Sequence, residues 1–194
     1  MPPLLARIKN IMLEPRAEWP LIATEQGSAL RVLLGYVAIL AAIPAMAGFI
    51  GSTFIGTSVS IGTFHDPIWL GVFKAVLSYL FSFAIVCLTA LAIDLMAPFF
   101  GAQRHFINAL KLAAYSFTPV WLIGIVLMFP NSRFFTLLGI YALRLLWTGV
   151  HPLMGAPRHQ VLRYSIAIAI VAFVIVFAMA LIQAVIVYYG SALR

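Results

Sequence analysis

Charged side chains are scarce in this sequence of 194 residues, where Asp, Glu, Lys and Arg together make up 9%. A soluble domain carries about a quarter charged residues. Apolar residues instead make up 64%, and the mean hydropathy is +1.08. A soluble core of this size cannot enclose so much apolar surface, so the low charge excludes an ordinary soluble protein. The composition predicts an integral membrane protein that has the lipid bilayer as a partner.

The sequence also lacks the usual signatures of catalysis and cofactor binding. Its one cysteine, Cys87, lies inside an apolar run, which excludes an internal disulfide. The sequence contains no phosphate-binding glycine loop, no G-x-S-x-G turn, no paired carboxylates and no Cys/His pair at a catalytic spacing. We therefore expect a protein that is not an enzyme, with no catalytic residues and no cofactor.

Basic residues outnumber acidic ones, and the net charge of +7 is explained by membrane topology. No basic patch lies outside the segments that flank the apolar runs, so we expect no nucleic acid partner. Lys and Arg collect in the cytoplasmic loops of membrane proteins. One side of the predicted membrane has Arg7, Lys9, Arg16, Arg31, Arg104, Lys111, Arg158 and Arg163, and the other has Lys74, Arg133 and Arg194. The asymmetry predicts a cytoplasmic N-terminus and an extracytoplasmic C-terminus.

Five segments are long enough to cross a hydrocarbon core, which needs about 20 apolar residues. They are residues 32–54, 70–97, 107–129, 134–154 and 165–189. Pro44 and Pro119 interrupt the first and the third, which membrane helices tolerate because neighbouring groups satisfy the freed carbonyls. Residues 31–194 are thus predicted to form one all-α, polytopic domain of five transmembrane helices. Residues 55–68, with His65 and Asp66, are predicted to be a flexible loop.

Residues 1–30 form a separate, amphipathic segment that does not span. Its apolar residues recur at helical spacing up to Pro15, and they are Leu4, Leu5, Ile8, Ile11 and Met12. Arg7, Lys9 and Asn10 are predicted to lie on the opposite face. An apolar stripe with basic residues and a nearby Trp19 favours a helix lying in the membrane interface. The alternative is a helix docked on the cytoplasmic face of the bundle.

Polar residues follow one face of each of two consecutive spans. In the third span they are Asn108, Lys111, Tyr115 and Thr118, and in the fourth Tyr141, Arg144, Thr148 and His151. Since facing lipid is costly, the two stripes are expected to face each other or a shared wet cavity. From its depth, Asp94 is predicted to pair with Arg144 or Lys111. This intramembrane polar cluster either stabilises the folded bundle or has a function, such as a partner contact or a proton or ion path.

Histidines are the remaining candidates for a metal site. His105, His151 and His159 all fall on the predicted cytoplasmic side. None of them forms the i, i+4 pair that makes a ready helical metal site. Dispersed histidines at an interface are usually solvated or hydrogen-bonded, so we expect no metal.

The order of several short motifs resembles that of a known family. The motifs are RIKNI at 7–11 followed by Pro15 and Trp19, then Phe100-Gly101 and Phe106, then AYSFTP at 114–119, then Tyr141, Trp147 and Gly149. Together they are similar to the bacterial branch of the Yip family, the Ypt/Rab-interacting membrane proteins. The resemblance implies five spans with a cytoplasmic N-terminus. Eukaryotic members act in vesicle traffic and bind prenylated Rab GTPases, but their acidic-aromatic segment has no equivalent before Val32 here.

Two functions are open from the sequence. The preferred one is a non-enzymatic inner-membrane protein that organises the membrane, other membrane proteins or copies of itself in a homo-oligomer. The alternative is a small oligomeric transporter or channel whose path is lined by the polar stripes of the third and fourth spans. Neither a small-molecule nor an ionic substrate follows from the residues.

Overall fold

The computed structural model describes residues 3–59, 62–128 and 140–192. Its α-helices, in chain order, are α1 (Leu4–Leu13), α2 (Pro15–Thr24), α3 (Ala29–Val32), α4 (Ala38–Ile50), α5 (Ile68–Met96), α6 (Phe106–Ser116), α7 (Thr118–Ile123), α8 (Tyr141–Met154) and α9 (Arg158–Ala192). Helical turns of other types extend them at Leu33–Val37, Gly51–Ile55, Ala97–Phe100 and Gly124–Met128. The predicted helical fold is confirmed.

Within the described residues, four helical segments are long and apolar enough to cross a membrane. They are Ala29–Ile55, Ile68–Phe100, Phe106–Val126 and Arg158–Gly190, and they correspond to the predicted first, second, third and fifth spans. The predicted fourth span, 134–154, coincides with α8 from Tyr141, whereas residues 134–139 lie outside the described residues. The protein is a multi-pass membrane protein. The fourth of the five predicted spans, 134–154, stays a prediction.

Helix α5 is the centre of the bundle, since α4, α6 and α9 all pack against it. Helix α8 lies alongside α6 and also contacts α9 and α2. The first and third spans cross closely at Gly124, where an added Cβ would lie 2.5 Å from the Cβ of Pro44. Among the described residues, the cluster of buried apolar side chains includes members from α1 and α2 as well as from the membrane helices. The N-terminal helices therefore belong to the same core as the bundle.

Pro119 divides the third span into α6 and α7. A proline ring within a helix clashes with the carbonyl four residues earlier, here that of Tyr115. The hydroxyl of Thr118 donates to this freed carbonyl oxygen at 2.7 Å. The break is thus satisfied inside the protein, as a membrane helix requires, and it leaves the Thr118 oxygen able to accept a further hydrogen bond.

Short connections close both ends of the bundle. Between the first two spans, strands β1 (Thr57–Val59) and β2 (Gly62–Phe64) form an antiparallel hairpin, with Thr57 opposite Phe64. This hairpin lies in the predicted flexible loop, where Asp66 also accepts a hydrogen bond from Lys74 at 2.6 Å. At the other end, Gly101 and Gly155 have φ angles of 65° and 64° and end the helical segments before them. A glycine adopts this left-handed conformation without steric cost.

Candidate functional site: the docked N-terminal helix pair

Helices α1 and α2, joined at Glu14, dock on the bundle through a buried inner face. Ile11, Trp19 and Ile22 have no exposed surface, and α2 packs along α8. This arrangement is the docked alternative, rather than the preferred helix lying free in the interface. The prediction that Arg7 lies on an outward polar face is wrong, because its side chain is only 3% exposed.

The inner face contains a charged group of four residues, Arg7, Glu18, Glu25 and Lys111, which we call the docking cluster. Arg7 donates to Glu18 Oε1 at 2.6 Å and also pairs with the Glu25 carboxylate. Asn10 donates to the second Glu18 oxygen at 3.2 Å. Charge-assisted hydrogen bonds of this kind are about twice as strong as neutral ones. They tie α1 to both ends of α2.

Lys111 connects the docking cluster to the third span. Its ammonium donates to the backbone oxygens of Ile22 at 2.9 Å and Glu25 at 2.6 Å, which are carbonyls at the C-terminal end of α2. These carbonyls lack partners within the helix, and a cation at this end also matches the helix dipole. The cluster holds two cations and two carboxylates. It is therefore neutral overall, as a buried charged group must be if the desolvation cost is to be offset.

A polar cavity adjoins the docking cluster at the start of α6. Its volume is about 330 Å³, and its lining includes Glu25, Gln26, His105, Asn108 and Lys111. The Glu25 carboxylate oxygen Oε2 has no hydrogen-bond partner among the residues that the structure describes. The cavity is large enough to admit water. The cluster thus borders, at Glu25 and Lys111, a space that water can enter, whereas Arg7 is enclosed.

An aromatic group lies deeper along the same contact. The indole of Trp19 donates to Thr148 Oγ1 at 3.0 Å, and its ring lies against Gly149 of α8. The ring of Tyr115 meets that of Trp19 edge-on at 6.2 Å and that of Tyr36 at 4.5 Å. The Arg7 guanidinium lies 5.8 Å from the centre of the Tyr115 ring. The helix pair is therefore held by packed rings as well as by charges.

The two predicted polar stripes are used mainly to hold this helix pair and the break at Pro119. From the fourth span, Tyr141 donates to the Met12 carbonyl at 2.6 Å, and Thr148 accepts from Trp19. From the third span, Thr118 bonds to the Tyr36 hydroxyl at 2.7 Å. The side-chain amide of Asn108 reaches the Leu153 carbonyl of α8 at 3.0 Å. The stripes thus lie on packed helices, and α1–α2 supplies hydrogen-bond partners to Lys111, Tyr141 and Thr148.

The predicted pairing of Asp94 with Arg144 or Lys111 is wrong. Asp94 instead accepts from Arg104, in the loop before α6, with the nitrogen and oxygen 3.1 Å apart. The Arg144 side chain is exposed, and its guanidinium lies 5.3 Å from the centre of the Tyr141 ring. Of the nine predicted cluster residues, Asp94 is thus separated from Lys111, which bonds to α2, and from Arg144, which is exposed.

The three candidate histidines are not brought together. His105 accepts a hydrogen bond from the backbone N–H of Asn108 at 3.3 Å, which caps the start of α6. His151 donates to the Ala156 carbonyl at 2.7 Å, whereas His159 is exposed. In the described part of the chain, no three His, Cys, Asp or Glu residues are placed to hold a metal ion.

Sequence reasoning missed the acidic half of the docking cluster. Glu18 and Glu25 were not singled out, although three of the chain's five acidic residues lie within residues 1–30. A helix that lies on an anionic membrane surface is expected to be basic rather than acidic. This local concentration of acidic residues, equal in number to the basic ones of the segment, was the signal for a protein partner of α1–α2.

Comparisons with known proteins agree with this architecture. The family model of the Yip1 domain matches residues 9–181. The "Inner membrane protein YohC" of Escherichia coli strain K12 is 27% identical over 166 residues, which cover 83% of this chain and 85% of the relative. The protein of the same name from strain O6:H1 (CFT073) matches to the same extent. No solved structure matches the chain. The matched region includes most of α1–α2 and nearly all of the bundle, so the chain belongs to the Yip1 domain family.

Proposed function

We propose that this protein is a non-enzymatic inner-membrane protein that organises the surrounding membrane or partner membrane proteins through its N-terminal helix pair. The names of the two YohC relatives support the inner membrane as its location. The predicted orientation, with the N-terminus in the cytoplasm, places α1–α2 at the cytoplasmic leaflet.

The outer face of the docked pair is the observation that carries this proposal. Leu5, Leu13 and Leu21 point outward and are 79%, 68% and 57% exposed. Lys9 and Arg16, on the same two helices, are also exposed. Exposed apolar and basic residues on one element favour contact with an anionic lipid surface or another membrane protein. Because the inner face is fixed on the bundle, this surface is presented without the cost of ordering a free segment.

A surface variant of the full chain tests the proposal better than deletion, because deletion also removes core residues. The variant combines Leu5→Ser, Leu13→Ser and Leu21→Ser and leaves the inner face unchanged. We expect it to melt like the wild type after reconstitution, but to lose any effect on vesicle shape and any co-purifying membrane protein. Replacing Lys9 and Arg16 by Gln separates the contribution of charge from that of apolar contact. A folded triple variant that shapes vesicles and retains partners like the wild type would contradict the proposal.

The conducting alternative rests on the exposed guanidinium of Arg144. An intramembrane arginine that faces outward from its helix is typical of a wet path. Lys111, Tyr115 and Thr118 are buried within protein contacts, which weighs against a path along the third span. Ion or solute flux in proteoliposomes that is abolished by Arg144→Ala would favour the conducting function over the organising one.

A further inference from the structure

A cavity in the membrane region lies apart from the docking cluster. It is enclosed by α5, α6, α8 and α9, with a volume of about 270 Å³. Leu143 and Phe173 at its edge are 50% and 70% exposed, so the cavity opens on the lipid-facing side of the bundle. Binding sites for bulky ligands measure about 300–1,000 Å³. This cavity suits a single hydrocarbon chain.

Two hydroxyl groups are the exceptions in an otherwise apolar lining. Thr89 of α5 is 3% exposed and Ser116 of α6 is 7% exposed. Neither hydroxyl oxygen has a hydrogen-bond partner within residues 3–59, 62–128 and 140–192. A buried donor without an acceptor destabilises a protein. The cavity therefore presents two hydrogen-bond donors that need an acceptor.

Other hydroxyls in the helices that line the cavity show what these two groups lack. A serine or threonine within a helix usually donates to a carbonyl one turn earlier. Ser82 does so to the Ser78 carbonyl at 2.9 Å, and Ser165 to the Val161 carbonyl at 2.8 Å. Thr89 and Ser116 do not use this local acceptor. Their hydroxyls remain available for a molecule that occupies the cavity.

Depth along the helices indicates which acceptor is present at this level. Tyr164 of α9 donates to the Ile93 carbonyl, next to Asp94, and so marks the charged end of α5. Thr89 lies four residues before Ile93 in the chain, which places it about 6 Å further from this charged end at 1.5 Å per residue. Ser116 lies five residues beyond Lys111, or about 7.5 Å by the same rise. Both hydroxyls thus lie one to one and a half helical turns below the charged groups, where the ester carbonyls of a phospholipid follow its headgroup.

We infer that this cavity binds one acyl chain of a glycerophospholipid, whose ester carbonyl accepts hydrogen bonds from Thr89 and Ser116. The ester has acceptors but no donors, which complements two hydroxyls that have protons to donate. The acyl chain contacts the apolar walls beside Leu143 and Phe173. The lipid comes from the leaflet on the side of α1–α2, because Thr89 is 11 residues from Phe100 and 21 from Ile68, at the other end of its span. Ser116 lies at the middle of Phe106–Val126 and reaches the same cavity.

The test compares the wild type with the double variant Thr89→Val, Ser116→Ala, which removes both hydroxyls and keeps nearly the same volume. In lipid-free detergent, we expect the variant to melt at the same temperature or higher, because it loses two unpaired buried donors. On addition of diester phosphatidylglycerol, the wild type gains stability and retains lipid in native mass spectrometry. Each lost hydrogen bond is expected to weaken lipid binding about fivefold.

Two controls make the result specific. Ser82→Ala removes a hydroxyl that is already bonded within its own helix, so lipid binding is expected to stay unchanged. A diether lipid with the same headgroup lacks ester carbonyls, and we expect it to bind wild type and double variant equally. Ala172→Leu fills the cavity and is expected to displace lipid even if the hydroxyl variant is poorly produced.

Three outcomes would overturn the inference. One is equal retention of diester lipid by the wild type, the double variant and Ala172→Leu. Another is a large loss of stability of the double variant in lipid-free detergent, which would mean that the hydroxyls already have partners within the protein. The third is a change of oligomeric mass without a change of lipid count, which would assign the cavity to a second copy of the chain.

Discussion

Replacing Arg7 by Met is expected to loosen the N-terminal helix pair, because the ion pairs of Arg7 tie α1 to both ends of α2. The substitution keeps much of the side-chain length but leaves Glu18 and Glu25 without the cation between them. Removing one partner of a buried ion pair costs about 3–5 kcal/mol. Glu25 lines a polar cavity and its side chain is 22% exposed, which favours the lower end of that range. For a chain of this length, about 3 kcal/mol corresponds to a melting temperature lower by about 6–12 °C.

Thermal melting in detergent measures this loss, and a double-mutant cycle assigns it to the pair. Glu18→Gln keeps the volume of the partner, and coupled neighbours deviate from additivity by about 0.5–3 kcal/mol. Lys9→Met is the matched control, because it removes the same charge from an exposed position of the same helix. Its effect is expected to stay within about 0.5 kcal/mol. Losses for Arg7→Met and Glu18→Gln that are strictly additive, or an Arg7→Met loss no larger than that of the control, would refute the ion-pair reasoning.

Three further predictions test the packing around the site, each by melting in detergent. Gly149→Ala should lower the free energy of unfolding by about 1–3 kcal/mol, because the new methyl group would lie within 3 Å of two side chains. Gly48→Ala is the control and should be tolerated, because no atom lies within 4 Å of the new methyl group. Thr118→Val should cost about 1–3 kcal/mol, since it leaves the carbonyl freed by the proline break without its donor; no loss would mean that another donor serves this carbonyl. Asp94→Asn and Arg104→Gln should show a coupling below about 1 kcal/mol, because the arginine is more than half exposed, and a larger coupling would indicate an enclosed pair.

The apolar spans were predictable because nearly every residue of a span that crosses lipid must be apolar. The second span was predicted at 70–97 and is found at Ile68–Phe100. An apolar run of the length needed to cross a bilayer has few alternatives to a membrane helix. The break at Pro119 was predictable for the same local reason, since its ring acts on a carbonyl four residues away. Local chemistry thus accounts for most of the helix boundaries.

The docking of α1–α2 was not predictable from periodicity alone. Arg7 was assigned to a solvent-facing side because the pattern distinguishes only apolar from polar positions. Its partners Glu18 and Glu25 lie 11 and 18 residues away, and Lys111 lies 86 residues from Glu25. Contacts over such separations depend on how helices are arranged in space. The concentration of acidic residues in residues 1–30 was a compositional sign of these contacts but did not identify the partners.

The Asp94 pairing failed for a geometric reason. Depth along the helices placed Asp94, Lys111 and Arg144 within a few ångströms of the same level. Depth does not say in which direction around its helix a side chain points. The loop residue Arg104, ten positions along the chain, reaches Asp94 instead, while Lys111 turns towards α2. Prediction of an ion pair in a bundle needs both the depth of each side chain along its helix and the direction in which it points around the helix.

Photo-crosslinking from position 19 in native membranes tests the docking of the helix pair most directly. A photoreactive aromatic residue in place of Trp19, which has no exposed surface, is expected to label peptides of α6 and α8 around Leu112 and Gly149. The same residue in place of Leu21, which is 57% exposed, is expected to label lipid or other proteins. The docked pair would be confirmed if the probe at position 19 labels α6 and α8 and the probe at position 21 does not. Labelling of lipid from both positions, with no product on α6 or α8, would contradict it.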